Sequence, residues 1–134
     1  MQMRWIHAMP LMLPLLTGCA LRAPEPCSFS GTSPMLVTEL FFGRGDVTDA
    51  AWASFAADTL TQHFPDGFTV LDGVGQWRQA PGQPIAREGS KLVIIAAPDT
   101  ETTREHLRDV ITAYRVATGQ KSVGLILETR CASF

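Results

Sequence analysis

Residues 68–97 read FTVLDGVGQWRQAPGQPIAREGSKLVIIAA. Phe68–Leu71 is made of strand formers, and Trp77 and Arg78 carry the strand on past Gly73 and Gly75. Ala80-Pro81-Gly82-Gln83 has proline second and glycine third, the arrangement of a tight turn. Ile85–Glu88 returns, and Lys91–Ala97 forms the next strand. Pairing outward from the turn sets Trp77 opposite Ala86, Asp72 opposite Lys91, Val70 opposite Val93 and Phe68 opposite Ile95. Apolar meets apolar and acid meets base, which supports this register. Leu92, Ile94 and Ala96 fall on one face of the strand, and Val93, Ile95 and Ala97 on the other. A strand apolar on both faces belongs in the centre of a sheet.

Before the hairpin, residues 35–42, MLVTELFF, read as a strand broken by Gly43-Arg44-Gly45-Asp46. Thr48 is placed to cap a helix, with Asp49 at the positive end of its dipole. Trp52, Phe55, Ala56, Leu60 and His63–Phe64 recur at helical spacing, and Pro65-Asp66-Gly67 ends the run. After the hairpin, Pro98-Asp99-Thr100 opens a second helix with Leu107, Val110, Ile111 and Tyr114 as its stripe and Gly119 as its C-cap. Ser122–Arg130 is the fourth strand. The order β-α-β-β-α-β predicts an α+β, ferredoxin-like sandwich. Its four-stranded antiparallel sheet has the order 4-1-3-2, two helices on one face, and an extended hairpin between strands two and three. The other face then needs a cover: a partner subunit, a ligand or the hairpin. Strand four raises the same demand, with Val123, Leu125 and Leu127 on one side and Ile126 on the other.

The first 34 residues have a different character. Arg4 precedes the apolar stretch AMPLMLPLL at residues 8–16, and Leu16-Thr17-Gly18-Cys19 follows. This resembles a bacterial lipobox, in which a diacylglycerol is attached to the cysteine and the chain is cut before it. The expected division is a signal peptide at 1–18, a lipid anchor and tether rich in Pro, Ser and Gly at 19–34, and one domain at 35–134. Cleavage leaves 116 of the 134 residues, enough for one core. The net charge of −2 becomes −3 once Arg4 is removed, which gives no electrostatic reason to bind nucleic acid. Lipid on Cys19 would leave Cys27 and Cys131 in an oxidising compartment. Strand four runs antiparallel to strand one, so its end lies beside the start of strand one. Residues 28–35 are long enough to fold back, and a Cys27–Cys131 disulfide is expected. The competing reading is two free thiols, with Cys131 packed as a small apolar residue. No Cys-x-x-Cys or His/Cys ligand spacing occurs, so no metal is expected.

Several strings also occur in order: Glu39-Leu40-Phe41-Phe42-Gly43-Arg44, Val47-Thr48-Asp49, Phe64-Pro65-Asp66-Gly67-Phe68-Thr69-Val70-Leu71-Asp72, Gly75-Gln76-Trp77-Arg78, Arg87-Glu88 and Ser90-Lys91. Together they resemble a family of small secreted bacterial proteins known as the domain of unknown function three-five-seven-four. The resemblance spans residues 35–134 and implies no particular chemistry.

The polar residues suggest one cluster. If the end of strand one lies beside the start of strand three, Arg44 approaches Glu88 and Lys91. Arg44, Asp72, Trp77, Arg78, Arg87, Glu88 and Lys91 then gather at one end of the sheet. The expected role is an ion-pair network pinning the hairpin; the competing role is an anion or carboxylate site walled by Trp77. Gly43-Arg44-Gly45 and Gly73-Val74-Gly75 match no phosphate loop and are expected as bends or bulges. His63 and His106 have no neighbouring nucleophile. Ser90 and Lys91 point to opposite faces of a strand. Tyr114 belongs to the core with its hydroxyl at the edge.

No catalytic motif names an activity. The sequence reads as a non-catalytic lipoprotein of the cell envelope, binding a partner or a small ligand on the open face or at the charged end. No cofactor is expected. Its partners would be the membrane, through lipid on Cys19, and a second copy of the chain through the open face. Ala20 leaves no acidic retention signal after the cysteine, so in a Gram-negative host the site is the outer membrane, facing the periplasm. The alternative is a cofactor-free enzyme of the ferredoxin-like kind acting on a small organic molecule, with Glu39, Asp72, Glu88 or His63 as its base.

Overall fold

The structure, a computed structural model, describes residues 27–133. The signal peptide at 1–18, Cys19 and the tether up to residue 26 lie outside the described residues. Strand β1 (Ser33–Gly43) leads to helix α1, which has three parts: an α-helical segment Asp49–Phe55, a π-helical segment Ala56–Leu60 and a last turn Thr61–His63. Strands β2 (Thr69–Arg78) and β3 (Ile85–Ala97) form the hairpin. Helix α2 (Glu101–Thr118) and strand β4 (Gly124–Ala132) complete the domain. The four strands make one antiparallel sheet in the order β2-β3-β1-β4, so the architecture is α+β with an open sheet and two helices. No helix of the described residues is long and apolar enough to cross a membrane.

Local chemistry accounts for the helix ends. The Thr48 hydroxyl accepts the Ala51 N–H, and the Thr100 hydroxyl accepts the Thr103 N–H, so each cap satisfies a backbone donor with no partner inside its helix. Gly119 stops α2 at a φ of 71°, the left-handed geometry open to a residue without Cβ. Within α1 the Thr61 hydroxyl donates to the Ala56 carbonyl, 3.0 Å away, where the π-helical segment widens the backbone.

Alternation assigns the two faces of the sheet. Leu36, Thr38, Leu40 and Phe42 of β1 are buried, and they pair with Ala97, Ile95, Val93 and Lys91 of β3. Against this face pack Trp52, Leu60 and Phe64 from α1 and its end, and Leu107, Val110 and Tyr114 from α2, in a single core. Burying each such aliphatic side chain contributes roughly 1.5–3 kcal/mol. Phe42 is the hub of the aromatic part, with ring centroids 4.7 Å from Tyr114 and 5.4 Å from Trp52, both edge-on. On the other face Phe41, Leu71 and Ile126 remain 40%, 48% and 46% exposed.

The hairpin pairs Trp77 with Ala86, Asp72 with Lys91 and Val70 with Val93, the register expected from the turn. Four details differ from expectation, the first being that β4 spans Gly124–Ala132 and not residues 122–130. β1 starts at Ser33, because Ser33 and Pro34 pair with Ala132 and Cys131 of β4. β2 begins at Thr69, so Phe68 does not pair with Ile95 but packs beside the core. Gly73 and Gly75 form neither bend nor bulge: they sit in regular register opposite Ser90 and Glu88. The sulfurs of Cys27 and Cys131 are bonded, with Cα atoms 5.6 Å apart, at the end of the sheet where β1 begins.

Candidate functional site

A broad cleft of about 1090 Å³ opens at the opposite end of the sheet. There β1 ends, β3 begins, α1 starts and α2 stops. Its walls include the loop Arg44–Thr48, Trp77 of β2, Glu88 and Ser90 of β3, Tyr114 of α2 and the turn from Gly119 to Ser122. Phe41 and Phe55 add apolar surface.

Glycines decide the shape of its floor. Gly43 pairs with Ser90, Ser90 with Gly73, and Gly75 with Glu88, so these residues share one face of the sheet. A Cβ on Gly43 would lie 2.3 Å from Glu88 Oε1, and one on Gly73 would lie 3.0 Å from Ser90 Oγ. The two strands flanking β3 thus carry no side chains where Glu88 and Ser90 stand. A Cβ on Gly75 would meet the Trp77 ring at 3.8 Å, which places the indole over Gly75, directly across from Glu88.

Glu88 is half-buried. Its Oε2 accepts the Gly45 N–H at 2.9 Å and the Gln120 side-chain amide at 3.4 Å. Among the described residues no cation lies within ion-pair distance of it. Arg44 is turned elsewhere: its Nε and Nη2 donate to the Val47 carbonyl at 3.1 and 2.6 Å, and its Nη1 pairs with Asp49 at 2.7 Å. Tyr114 is fully buried, and its hydroxyl donates to the Gly43 carbonyl at 2.9 Å. Burial pushes the Tyr114 phenol up from its ordinary value; Arg44 opposes the shift and Glu88 adds to it.

The expected seven-residue network therefore does not form. Alternation divides it. Asp72 pairs with Lys91 on the helix side, where Lys91 is 9% exposed and its ammonium lies 6.0 Å from the centre of the Trp52 ring. Arg87 donates to Gln76 at 2.6 Å, and that pair and Arg78 share the alternation of Asp72. Only Arg44, Trp77 and Glu88 line the cleft, and Arg44 does not pair with Glu88. Gln120 and the Gly45 N–H, the partners of Glu88, were not legible in the sequence, although the glycine cap at 119 was the local sign that the chain turns there.

A second feature lies at the other end of α1. His63 donates from Nδ1–H to the Thr59 carbonyl at 2.8 Å, its Nε2 is 3.9 Å from Asp109, and its ring centre is 5.1 Å from that of His106. These rings bridge the two helices beside a small crevice of about 210 Å³. Among the described residues no group of three His, Cys, Asp or Glu side chains could hold a metal ion. Glu39 lies on the open face between Ile94 and Ile126, with no base partner beside it in either strand. Ser90 and Lys91 point to opposite faces.

The fold and cleft together define a small α+β domain with an open antiparallel sheet and a solvent-facing cleft at one pole. The chain belongs to the family described as protein of unknown function (DUF3574), whose model matches residues 37–134. No curated protein matches the sequence. Among solved structures, a phage SAM lyase in complex with S-methyl-5′-thioadenosine is similar at 15% identity and a TM-score of 0.54, over 73% of this chain and 90% of that one. CutA from Synechococcus elongatus, complexed with a Bis-Tris molecule, is similar at 14% identity and a TM-score of 0.52, over 76% and 87%. At these identities the likeness is one of fold.

Proposed function

We propose that the protein is a lipid-anchored, non-catalytic binding domain of the bacterial cell envelope. Its frame is the ferredoxin-like arrangement, and its site is the cleft where β1 ends and β3 begins. The observation that carries the binding reading is Glu88. It is a half-buried carboxylate held by Gly45 and Gln120, standing on a glycine floor in a cleft of the size that takes small molecules. Arg44 donates to the Val47 carbonyl and pairs with Asp49, and Tyr114 donates to the Gly43 carbonyl, so both shape the wall.

The anchor gives this site a direction. Cys19 and Cys27 are eight residues apart, at most roughly 29 Å of chain. Cys27 is fastened to the end of β4, whereas the cleft lies at the far end of the eleven-residue β1, roughly 35 Å away. A lipid on Cys19 therefore holds the disulfide pole toward the bilayer and the cleft toward the aqueous side. Metabolic labelling with a fatty acid should mark the wild type and miss Cys19→Ser; equal labelling of both would refute the anchor. Saturation-transfer NMR against a small-molecule extract of the cell envelope should give ligand signals with the wild type, and these should vanish when Gly73→Phe fills the floor. Signals that persist in this variant would refute the cleft as the site.

The second reading is a cofactor-free enzyme of the same frame acting on a small organic molecule. The observation in its favour is the Tyr114 phenol in the cleft wall, whose pKa burial raises from its ordinary value. Its hydrogen bond to the Gly43 carbonyl weighs against it. A homodimer through the open face is proposed on the exposure of Phe41, Leu71 and Ile126.

A further inference from the structure

We propose that the cleft takes a small organic ammonium ion, its charged head set between the Glu88 carboxylate and the face of the Trp77 indole. The inference rests on the cleft being a binding site and names the class of molecule it selects.

The charges decide the class. Glu88 Oε2 already accepts from Gly45 and Gln120, while Oε1 lies over Gly43 with no protein donor among the described residues. The cation nearest in sequence to the loop, Arg44, is held by Val47 and Asp49. Lys121 stands on the rim and makes no ion pair with Glu88. A partly desolvated carboxylate with one free oxygen gains most from a charged N–H donor. Trp77 supplies the second element: its ring lies over Gly75, across the ladder from Glu88, and is 46% exposed. The carboxylate leans over Gly43 of β1 and the ring lies over Gly75 of β2, so an ammonium seated above β3 has the carboxylate on one side and the indole, whose ring quadrupole attracts cations, on the other. The glycines at 43, 73 and 75 leave space above the sheet for the rest of the molecule, and Phe41 offers it an apolar surface. A bound anion, by contrast, would meet the Glu88 carboxylate, with the Arg44 guanidinium held by Val47 and Asp49 and only the Lys121 ammonium at the cleft wall to offset it.

The test uses three probes of one skeleton on the full chain in a neutral detergent: phenethylammonium, 2-phenylethanol and 3-phenylpropionate. Binding is read at the Trp77 indole N–H by NMR, with the core Trp52 as internal control. Phenethylammonium should shift the Trp77 signal saturably and bind roughly tenfold or more tightly than the alcohol. Glu88→Gln, which keeps an oxygen for the Gly45 N–H, should abolish that preference at an unchanged thermal midpoint. Equal binding of alcohol and ammonium, tighter binding of the propionate, or an unaffected Glu88→Gln would overturn the ammonium inference while leaving the cleft reading intact. If none of the three probes moves Trp77, both fail.

Discussion

Arg44 joins the end of β1 to the start of α1 through its side chain. Its guanidinium is mostly buried and donates twice to the Val47 carbonyl, whereas its ion-pair partner Asp49 is largely exposed. Bonds from a charged donor to a shielded carbonyl contribute more than an ion pair to an exposed carboxylate. Arg44→Met should therefore lower stability by about 1–3 kcal/mol in urea denaturation. An unchanged urea midpoint in Arg44→Met would show that these bonds do not stabilise the fold. Tyr114 makes the neighbouring bond, to the Gly43 carbonyl. Its pKa is raised in the folded state, chiefly by burial. The contribution of the neutral phenol is then fully present below the ordinary value of about 10 and is lost as pH rises through the folded-state value. Wild-type stability should fall above roughly pH 10, and Tyr114→Phe should flatten that part of the profile; a parallel decline in both would remove Tyr114 as its cause.

At the scale of elements, the sheet has one face filled and one face open. β1 and β3 bury Leu40, Phe42, Val93 and Ile95 under the helices, while Leu92 and Ile94 on the reverse are only half-buried. Phe41, Leu71 and Ile126 extend that reverse face across three strands. Removing such apolar surface from water stabilises by roughly 25 cal/mol per Å². The homodimer predicts a wild type that sediments at twice the mass of the chain, and a Leu71→Lys variant that sediments as a monomer with its circular dichroism retained. A wild type that is monomeric at micromolar concentration would exclude this use of the face.

For the molecule as a whole, the Cys27–Cys131 bond closes the domain on itself, with 104 positions between its ends. A loop of that length loses about 4–5 kcal/mol of denatured-state entropy in the chain-entropy model. The bond also ties the segment before β1 to the last strand, so the start of β1 and the end of β4 lie at one pole and the cleft at the other. The double variant Cys27→Ser/Cys131→Ser should lose stability up to that figure and fray first at β4, read by amide hydrogen exchange at Leu127–Arg130. Full retention of protection there, with no loss in urea midpoint, would show that packing alone holds the edge strand.

Much of this arrangement is local, and local chemistry can be read along the chain. The hairpin register follows from the turn at Ala80–Gln83 and the pairing of Asp72 with Lys91, both within a short span. The caps at Thr48, Thr100 and Gly119 act within one helical turn. The unbroken apolar run of β3, apolar on both faces, makes it a central strand, and the strand order follows from that and the antiparallel connections. The site was only partly legible. The sequence marks Arg44, Trp77 and Glu88 within a group of seven, read as an ion-pair network or as an anion site walled by Trp77. Alternation sent Asp72 and Lys91 to the helix side, and the closer Val47 carbonyl took the Arg44 guanidinium. The bonds that shape the cleft join Glu88 to Gly45 across 43 positions, Gln120 to Glu88 across 32, and Tyr114 to Gly43 across 71. Periodicity and turn propensity carry no information about such pairs. They exist because packing Phe42 against Tyr114 and Trp52 brings the end of α2 over the end of β1.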